Sequence, residues 1–303
     1  MKLRVGHLST LYHTSMLLMA REGLLEGFPA AVQWRLFGTG PAIVDAMARG
    51  ELDLGYIGLP PAVIGVARGV PIVCVAGGHI EGTVIAAGKS APAYPETRDL
   101  GAVLSWAGAI GVPGKGSIHD LILADALKEH GVRAEVRNFP WADQVLEAFM
   151  RGEVDMAVGT PALAEAVIRF GGGRIAYPPH LLWPDNPSYG IVATRETASR
   201  ERGLLKDFLL LHEEASAFLR ERRAEAARDI ARLMGVVDEE FVRETMEISP
   251  HYCAALTPGF VDCSMRLARR LRGLGYIDRE VAVEEVFDAS LIEEAHPGPD
   301  HYR

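Results

Sequence analysis

Gly114-Lys115-Gly116-Ser117 is the stretch of this sequence best equipped to hold an anion. Glycine lets backbone N–H groups approach a ligand closely, a serine before a helix can cap it or donate, and the lysine adds positive charge. The same letters also spell a plain glycine turn with a solvated lysine. The stretch is not a nucleotide P-loop, because Gly-Lys is followed by glycine, and Gly38-Thr39-Gly40 lacks the third glycine of a dinucleotide fingerprint. His13 and His119 each sit in the first turn of a helix that follows a strand, where the helix dipole biases an imidazole towards its neutral form. Neutral imidazoles suit hydrogen bonding to a heterocycle or metal ligation; the alternative is a satisfied packing histidine. Tyr12 and Trp141 can stack on a planar ligand or simply pack a domain wall. His79 and Glu81 add metal-capable groups to His13 and His119, but no pair has close ligand spacing. His251, Cys253 and Cys263 form a weaker cluster, burial being the ordinary fate of a free cysteine. No metal and no cofactor is expected.

The elements that position these residues come from an internal repeat. Ala46-Met47-Ala48-Arg49-Gly50-Glu51-Leu52-Asp53-Leu54 lies over Ala148-Phe149-Met150-Arg151-Gly152-Glu153-Val154-Asp155-Met156 without a gap, 102 positions on. Upstream, Val32 to Phe37 lies over Ala134 to Phe139. Apolar residues at Ile43, Ala46, Met47 and at Val145, Phe149, Met150 have helical spacing, and Gly50 and Gly152 sit where a helix C-cap needs left-handed backbone. The short apolar runs Leu52–Ile57 and Val154–Val158 read as strands covered on both faces. Further upstream, Val5–Ser9 and Ala109–Val112 read as strands that feed helices ending at Gly23 and Gly131. Each unit is strand–helix–strand–helix–strand, a doubly wound α/β pattern.

Two such units predict two lobes. The expected division is residues 1–87 with 188–303 in one lobe and an inserted 88–187 in the other, joined by two crossing strands near Gly82–Ala87 and Ser188–Ala193. The remainder reads as helical over Glu201–Met234, Asp238–Glu247 and Pro258–Leu274, with Arg220 to Arg223 meeting solvent and a frayed tail from His296. Ligands of open α/β sheets bind beyond the carboxyl ends of the strands. Those ends lead here into Ser9-Thr10, Gly38-Thr39, Gly58, Lys115-Gly116-Ser117, Trp141 and Thr160, several of them just before a helix, whose free N–H groups favour anions.

Composition bounds the function. With 303 residues, 49% of them apolar, the chain has ample core, and its formal charge of −9 with no basic block argues against a nucleic-acid partner. Three cysteines without a CxxC pair suit neither a disulfide scaffold nor a structural zinc knuckle. No apolar stretch approaches the ~20 residues of a membrane span, so no membrane insertion is expected. No secretory signal is legible after Met1, which predicts a cytoplasmic protein, or an extracytoplasmic one if a signal has been removed.

Gly38-Thr39-Gly40-Pro41, Ala46 to Gly58 and Val63 to Ala76 resemble the first lobe of type II periplasmic substrate-binding proteins, in the nitrate/sulfonate/taurine and thiamine-pyrimidine branch. Gly111-Val112-Pro113-Gly114-Lys115-Gly116-Ser117 and Val154 to Pro161 resemble its second lobe, and the whole likeness spans roughly residues 3 to 220. Tyr12-His13 is similar to the pyrimidine-related branch. The resemblance implies a non-catalytic solute-binding protein whose lobes close on a small anionic or heterocyclic molecule, with the permease of an ABC transporter as partner. It offers as ligand contacts Ser9, Thr10, Tyr12, His13, Gly38, Thr39, Gly58, Lys115, Gly116, Ser117, His119, Trp141 and Thr160. An enzyme on the same fold, a lyase or a pyrimidine-forming synthase, is the alternative. The synthase branch carries a lysine and a histidine after the Gly-ended strand, but Gly55-Tyr56-Ile57-Gly58-Leu59-Pro60-Pro61 has neither, and the cysteine-rich iron motif is missing. Leu8-Ser9-Thr10-Leu11 matches the lyase loop poorly.

Overall fold

The repeated Asp of the two Gly-Glu-x-Asp turns ties each turn to the start of a neighbouring strand. Asp53 accepts from the Arg4 amide (2.7 Å) and guanidinium, while Asp155 accepts from the amides of Gly108 (2.8 Å) and Ala109 (3.0 Å). Gly50 and Gly152 just before them have φ of +70° and +69°, a backbone that a side chain would strain. The computed structural model describes residues 2–303. Its strands are β1 (Lys2–Leu8), β2 (Ala31–Phe37), β3 (Leu54–Ile57), β4 (Ile72–Ile80), β5 (Val84–Gly88), β6 (Ala109–Pro113), β7 (Glu135–Phe139), β8 (Met156–Gly159), β9 (Gly173–Tyr177) and β10 (Pro187–Thr194).

They form two five-stranded mixed sheets of one design, ordered β2-β1-β3-β10-β4 and β7-β6-β8-β5-β9. In each, the first three strands are parallel and the fourth runs antiparallel to both its neighbours. That fourth strand is the one arriving from the other lobe. The helices Gly40–Ala48 and Leu59–Ala67 recur as Ala142–Met150 and Pro161–Arg169. The first sheet packs Leu3, Val5, Leu17 and Phe208 on one face and Ile43, Met47, Leu59 and Val63 on the other; the second is likewise covered on both. Among the described residues no helix is long and apolar enough to cross a membrane.

The C-terminal region departs from its sequence reading in three places. The expected helix 201–234 breaks at Arg222 into Arg202–Glu221 and Arg223–Met234, so each half buries its own apolar face. Arg220, expected in solvent, is mostly buried, donating to the Tyr252 carbonyl (2.9 Å) and Glu213 (2.9 Å). The tail is docked, not frayed: Tyr302 is 4% exposed, its hydroxyl donates to the Ala255 carbonyl (3.0 Å), and its ring stacks on Phe260.

Candidate functional site

A cavity of about 340 Å³ lies between the lobes, at the carboxyl ends of β1, β2, β3, β6, β7 and β8. Ser9, Thr10, Tyr12, His13, Gly38, Thr39 and Gly58 line it from the first lobe. Ser117, His119, Trp141 and Thr160 line it from the second. The predicted contacts therefore converge, with two exceptions.

Lys115 and Gly116 do not reach the cavity. Lys115 is exposed, and the anion cradled by the glycine loop is the chain's own Asp120. Buried Asp120 accepts from the Gly116 amide (2.8 Å), Asn138 (2.9 Å) and the Tyr276 hydroxyl (2.6 Å). Ser117 is committed too: its hydroxyl donates to the Pro113 carbonyl (2.7 Å) and accepts from the Asp120 amide (3.2 Å). Ser117 thus lines the wall without a free proton for an anion.

His13 is buried against the Tyr189 ring (3.9 Å between centroids), with Tyr12 edge-on beside it at 4.9 Å. Burial, reinforced by His79, His7, His119 and His212, drives its pKa well below the ordinary histidine value, so it is neutral. Burial holds His119 down at about 4, with its Nδ1 on the Thr83 hydroxyl (2.9 Å). The Tyr12 hydroxyl pairs with Ser188 (3.1 Å), and burial raises its pKa, so it stays protonated. Two buried polar atoms at this wall lack a protein partner, His13 Nδ1 and Thr10 Oγ1. Buried polar atoms are rarely left so, and a ligand in the cavity is a natural partner.

The helix starts divide into two kinds. Ser117 and Thr160 cap their helices with their own side chains, whereas the helices after Thr39 and Trp141 have no side-chain cap. Uncapped helix starts therefore face the cleft from both lobes, among them those after Thr39 and Gly58 in the first and after Trp141 in the second. No lysine or arginine lines the cavity among the described residues; its one carboxylate is Asp143. His79 is not part of the wall: its Nε2 bonds the Ser249 carbonyl (2.6 Å), and the Glu81 carboxylate accepts from the Asp185 amide. Among the described residues, His13, His79, His119 and Glu81 do not form a group with ligand atoms close enough to share a metal ion. Nor do His251, Cys253 and Cys263, since His251 bonds the Tyr302 carbonyl and Cys263 lies by Pro184 and Arg266.

Sequence reasoning missed the apolar end of the cavity, built by Leu146, Phe170, Met234, Val237 and Phe241. Its one sequence signal is the apolar run Met234-Gly235-Val236-Val237, in which Gly235 ends a helix at φ +68° and Val236 is 81% exposed.

The lobes touch at the rim through glycines. A Cβ on Gly38 would fall 2.6 Å from the Pro140 carbonyl and 2.9 Å from the Trp141 ring; one on Gly114 would meet Thr39 at 2.6 Å. One on Gly58 would meet Ile118 at 3.3 Å. Each contact joins one lobe to the other.

Two mixed α/β lobes joined by exchanged strands, with a cleft at their strand ends, define a binding-protein fold of the type II periplasmic kind. The sequence matches the NMT1-like family model over residues 1–235, and the chain belongs to that family. No curated protein sequence matches it. Among solved structures, the fold is similar to the alkanesulfonate-binding protein of Xanthomonas axonopodis pv. citri bound to MOPS. The two share 20% identity with a TM-score of 0.80, over 95% of this chain and 98% of that one. The periplasmic aliphatic sulphonate-binding protein of Escherichia coli is 19% identical with a TM-score of 0.78, covering 95% of this chain and 92% of its own. The periplasmic nitrate-binding protein of Synechocystis PCC 6803 is 14% identical with a TM-score of 0.78, covering 98% and 88%.

Proposed function

We propose that this chain is a solute-binding protein that closes on a small organic molecule in the inter-lobe cavity and presents it to the permease of an ABC importer. Family membership and the likeness in fold to sulfonate- and nitrate-binding proteins support the role. The reading of the ligand rests on one observation. The cavity pairs an apolar end with a wall of neutral imidazole, phenol and hydroxyl groups and has no cationic side chain. That combination favours a planar heterocycle with hydrogen-bonding ring atoms over a free inorganic anion. The contacts are Ser9, Thr10, Tyr12, His13, Gly38, Thr39, Gly58, His119, Trp141 and Thr160. A second reading, an organic sulfonate or carboxylate, is favoured by the uncapped helix starts after Thr39 and Trp141, whose free N–H groups suit a negative head.

A thermal-shift panel of pyrimidines and other neutral heterocycles, sulfonates, carboxylates and nitrate separates the two, with calorimetric titration of every hit. A heterocycle that raises the melting temperature while sulfonates do not supports the first reading; the reverse overturns it. Incubation of the hit with the protein, followed by mass spectrometry, distinguishes a binder from an enzyme. Delivery to a permease requires placement outside the cytoplasmic membrane, which fractionation of the native host tests.

A further inference from the structure

Away from the cleft, three metal-capable side chains, Cys253, His296 and His301, converge from two parts of the chain, with the Glu213 carboxylate beside the two histidines. Cys253 Sγ lies 3.6 Å from His296 Nε2 and 3.8 Å from His301 Nδ1, and the two nitrogens are 3.2 Å apart. Glu213 Oε1 lies 3.7 Å and 3.6 Å from the same nitrogens. The Glu213 separations are too long for ordinary hydrogen bonds, and the sulfur–nitrogen ones have the length of weak sulfur hydrogen bonds. The separations among Cys253, His296 and His301 match three edges of a coordination tetrahedron: bonds of about 2.3 Å to sulfur and about 2.0–2.1 Å to nitrogen place S···N near 3.5 Å and N···N near 3.3 Å.

The surroundings are those of a metal site as well. Cys253 Sγ accepts from the backbone amides of Ala255 (3.4 Å) and His301 (3.3 Å), which fix its position. The Glu213 carboxylate is oriented by the Ala254 amide (2.8 Å) on one oxygen and by Arg220 (2.9 Å) on the other. Outer contacts of this kind fix ligand geometry. Cys253 is buried and the His296 side chain is only 5% exposed. In sequence the two histidines are separated by Pro297-Gly298-Pro299-Asp300, a gap in the range of zinc-binding histidine pairs.

We propose that Cys253, His296 and His301 form a structural zinc site that pins the C-terminal segment to the loop after Ile248, with Glu213 of the helix Arg202–Glu221 beside the two histidines. A thiolate and two imidazoles suit Zn²⁺, and the neighbouring Glu213 carboxylate is the group at hand for the fourth position. The site is separate from the cleft, whose histidines are not among its ligands. Metal would hold the segment that places Tyr302 against Ala255, behind β4.

The test uses full-length, tag-free protein stripped of metal and titrated with Co²⁺, then with Zn²⁺ in competition. One equivalent of Co²⁺ should give tetrahedral visible bands with a thiolate charge-transfer band, displaced by Zn²⁺. Cys253→Ser should abolish the charge-transfer band, and His301→Ala should weaken Zn²⁺ binding at least tenfold. His301 is exposed, so that variant keeps the test decisive if Cys253→Ser fails to fold. Chelation should expose the segment after Ala295 to protease and Zn²⁺ should protect it. Absence of the thiolate band, unchanged Zn²⁺ affinity in His301→Ala, or loss of binding in the cleft variant His119→Asn instead would overturn the proposal.

Discussion

Replacing Gly38 by alanine tests whether ligand binding is coupled to lobe closure. The new methyl would sit 2.6 Å from the Pro140 carbonyl and 2.9 Å from the Trp141 ring, against 3.4 Å or more for ordinary contact. Both obstacles belong to the facing lobe, and one is backbone, so no rotamer change clears it. Opening the hinge by under an ångström at the rim does. Overpacking of this degree costs ~1–3 kcal/mol. Because only the closed state bears that cost, it should appear in ligand affinity and not in the fold of either lobe. At ~1.4 kcal/mol per factor of ten, affinity should fall roughly five- to hundredfold. The assay is calorimetric titration with the ligand found by screening, beside a melt of the ligand-free variant and small-angle scattering with and without ligand. Gly203→Ala is the control, a glycine whose added Cβ meets nothing within 4 Å. Unchanged affinity in Gly38→Ala, or an affinity loss matched by an equal loss of ligand-free stability, would refute the coupling.

Trp141→Ala should weaken binding about two- to tenfold, the ~0.5–1.5 kcal/mol of a lost aromatic contact, with little change in the ligand-free melt. Lys115→Ala should change affinity less than about twofold, since that side chain lies outside the cavity; a tenfold loss by titration would restore the lysine to the site. Burial, then the neighbouring Glu244 carboxylate, raises Glu165 from 4.5 to about 7, while Arg169 opposes and Glu240 adds to the rise. The folded protein thus binds more protons than the unfolded chain between those values, and this contribution to stability is lost as pH rises through about 7. Glu165→Gln should remove that loss, gaining ~1–3 kcal/mol over the parent at pH 8 and nothing at pH 4 in urea titrations. Identical pH profiles for variant and parent would contradict it.

The architecture was legible because the chain repeats itself. A gapless match at one offset carries strand, helix, glycine cap and strand together, and the structure places Leu54–Ile57 and Met156–Gly159 at the same position in the two sheets. What the repeat does not cover was read less well. The break at Arg222 has no glycine or proline to announce it, and is fixed by packing of the two helix halves on different partners. The docked tail depends on contacts such as Tyr302 with Ala255, 47 positions apart, and on groups drawn from Glu213, Cys253 and His296 that no local spacing connects. The anion loop was misread for a subtler reason. Asp120 lies one helical turn past Gly116, close enough to fill the cradle itself, and a glycine-rich motif does not say whether its anion comes from outside.

Under the proposed solute-binding role, the arrangement would couple binding to closure. Each lobe brings one neutral histidine, His13 or His119, and at least one uncapped helix start, such as those after Thr39 and after Trp141. Neither half encloses a ligand alone. The apolar end is divided as well: Leu146 and Phe170 come from the repeat unit of the second sheet, Met234 and Phe241 from two C-terminal helices and Val237 from the loop between them. A ligand spanning the cavity gains its full set of contacts only when the rim glycines let the lobes meet. Its differential affinity for the closed state is therefore the sum of what the second lobe adds, and that difference is what can drive closure. Without a lysine or arginine at the wall, this energy must come from desolvated apolar contact and from hydrogen bonds to His13, Thr10 and the free helix N–H groups. Such terms are short-ranged, so they reward a ligand that fits the closed shape far more than one that merely carries charge.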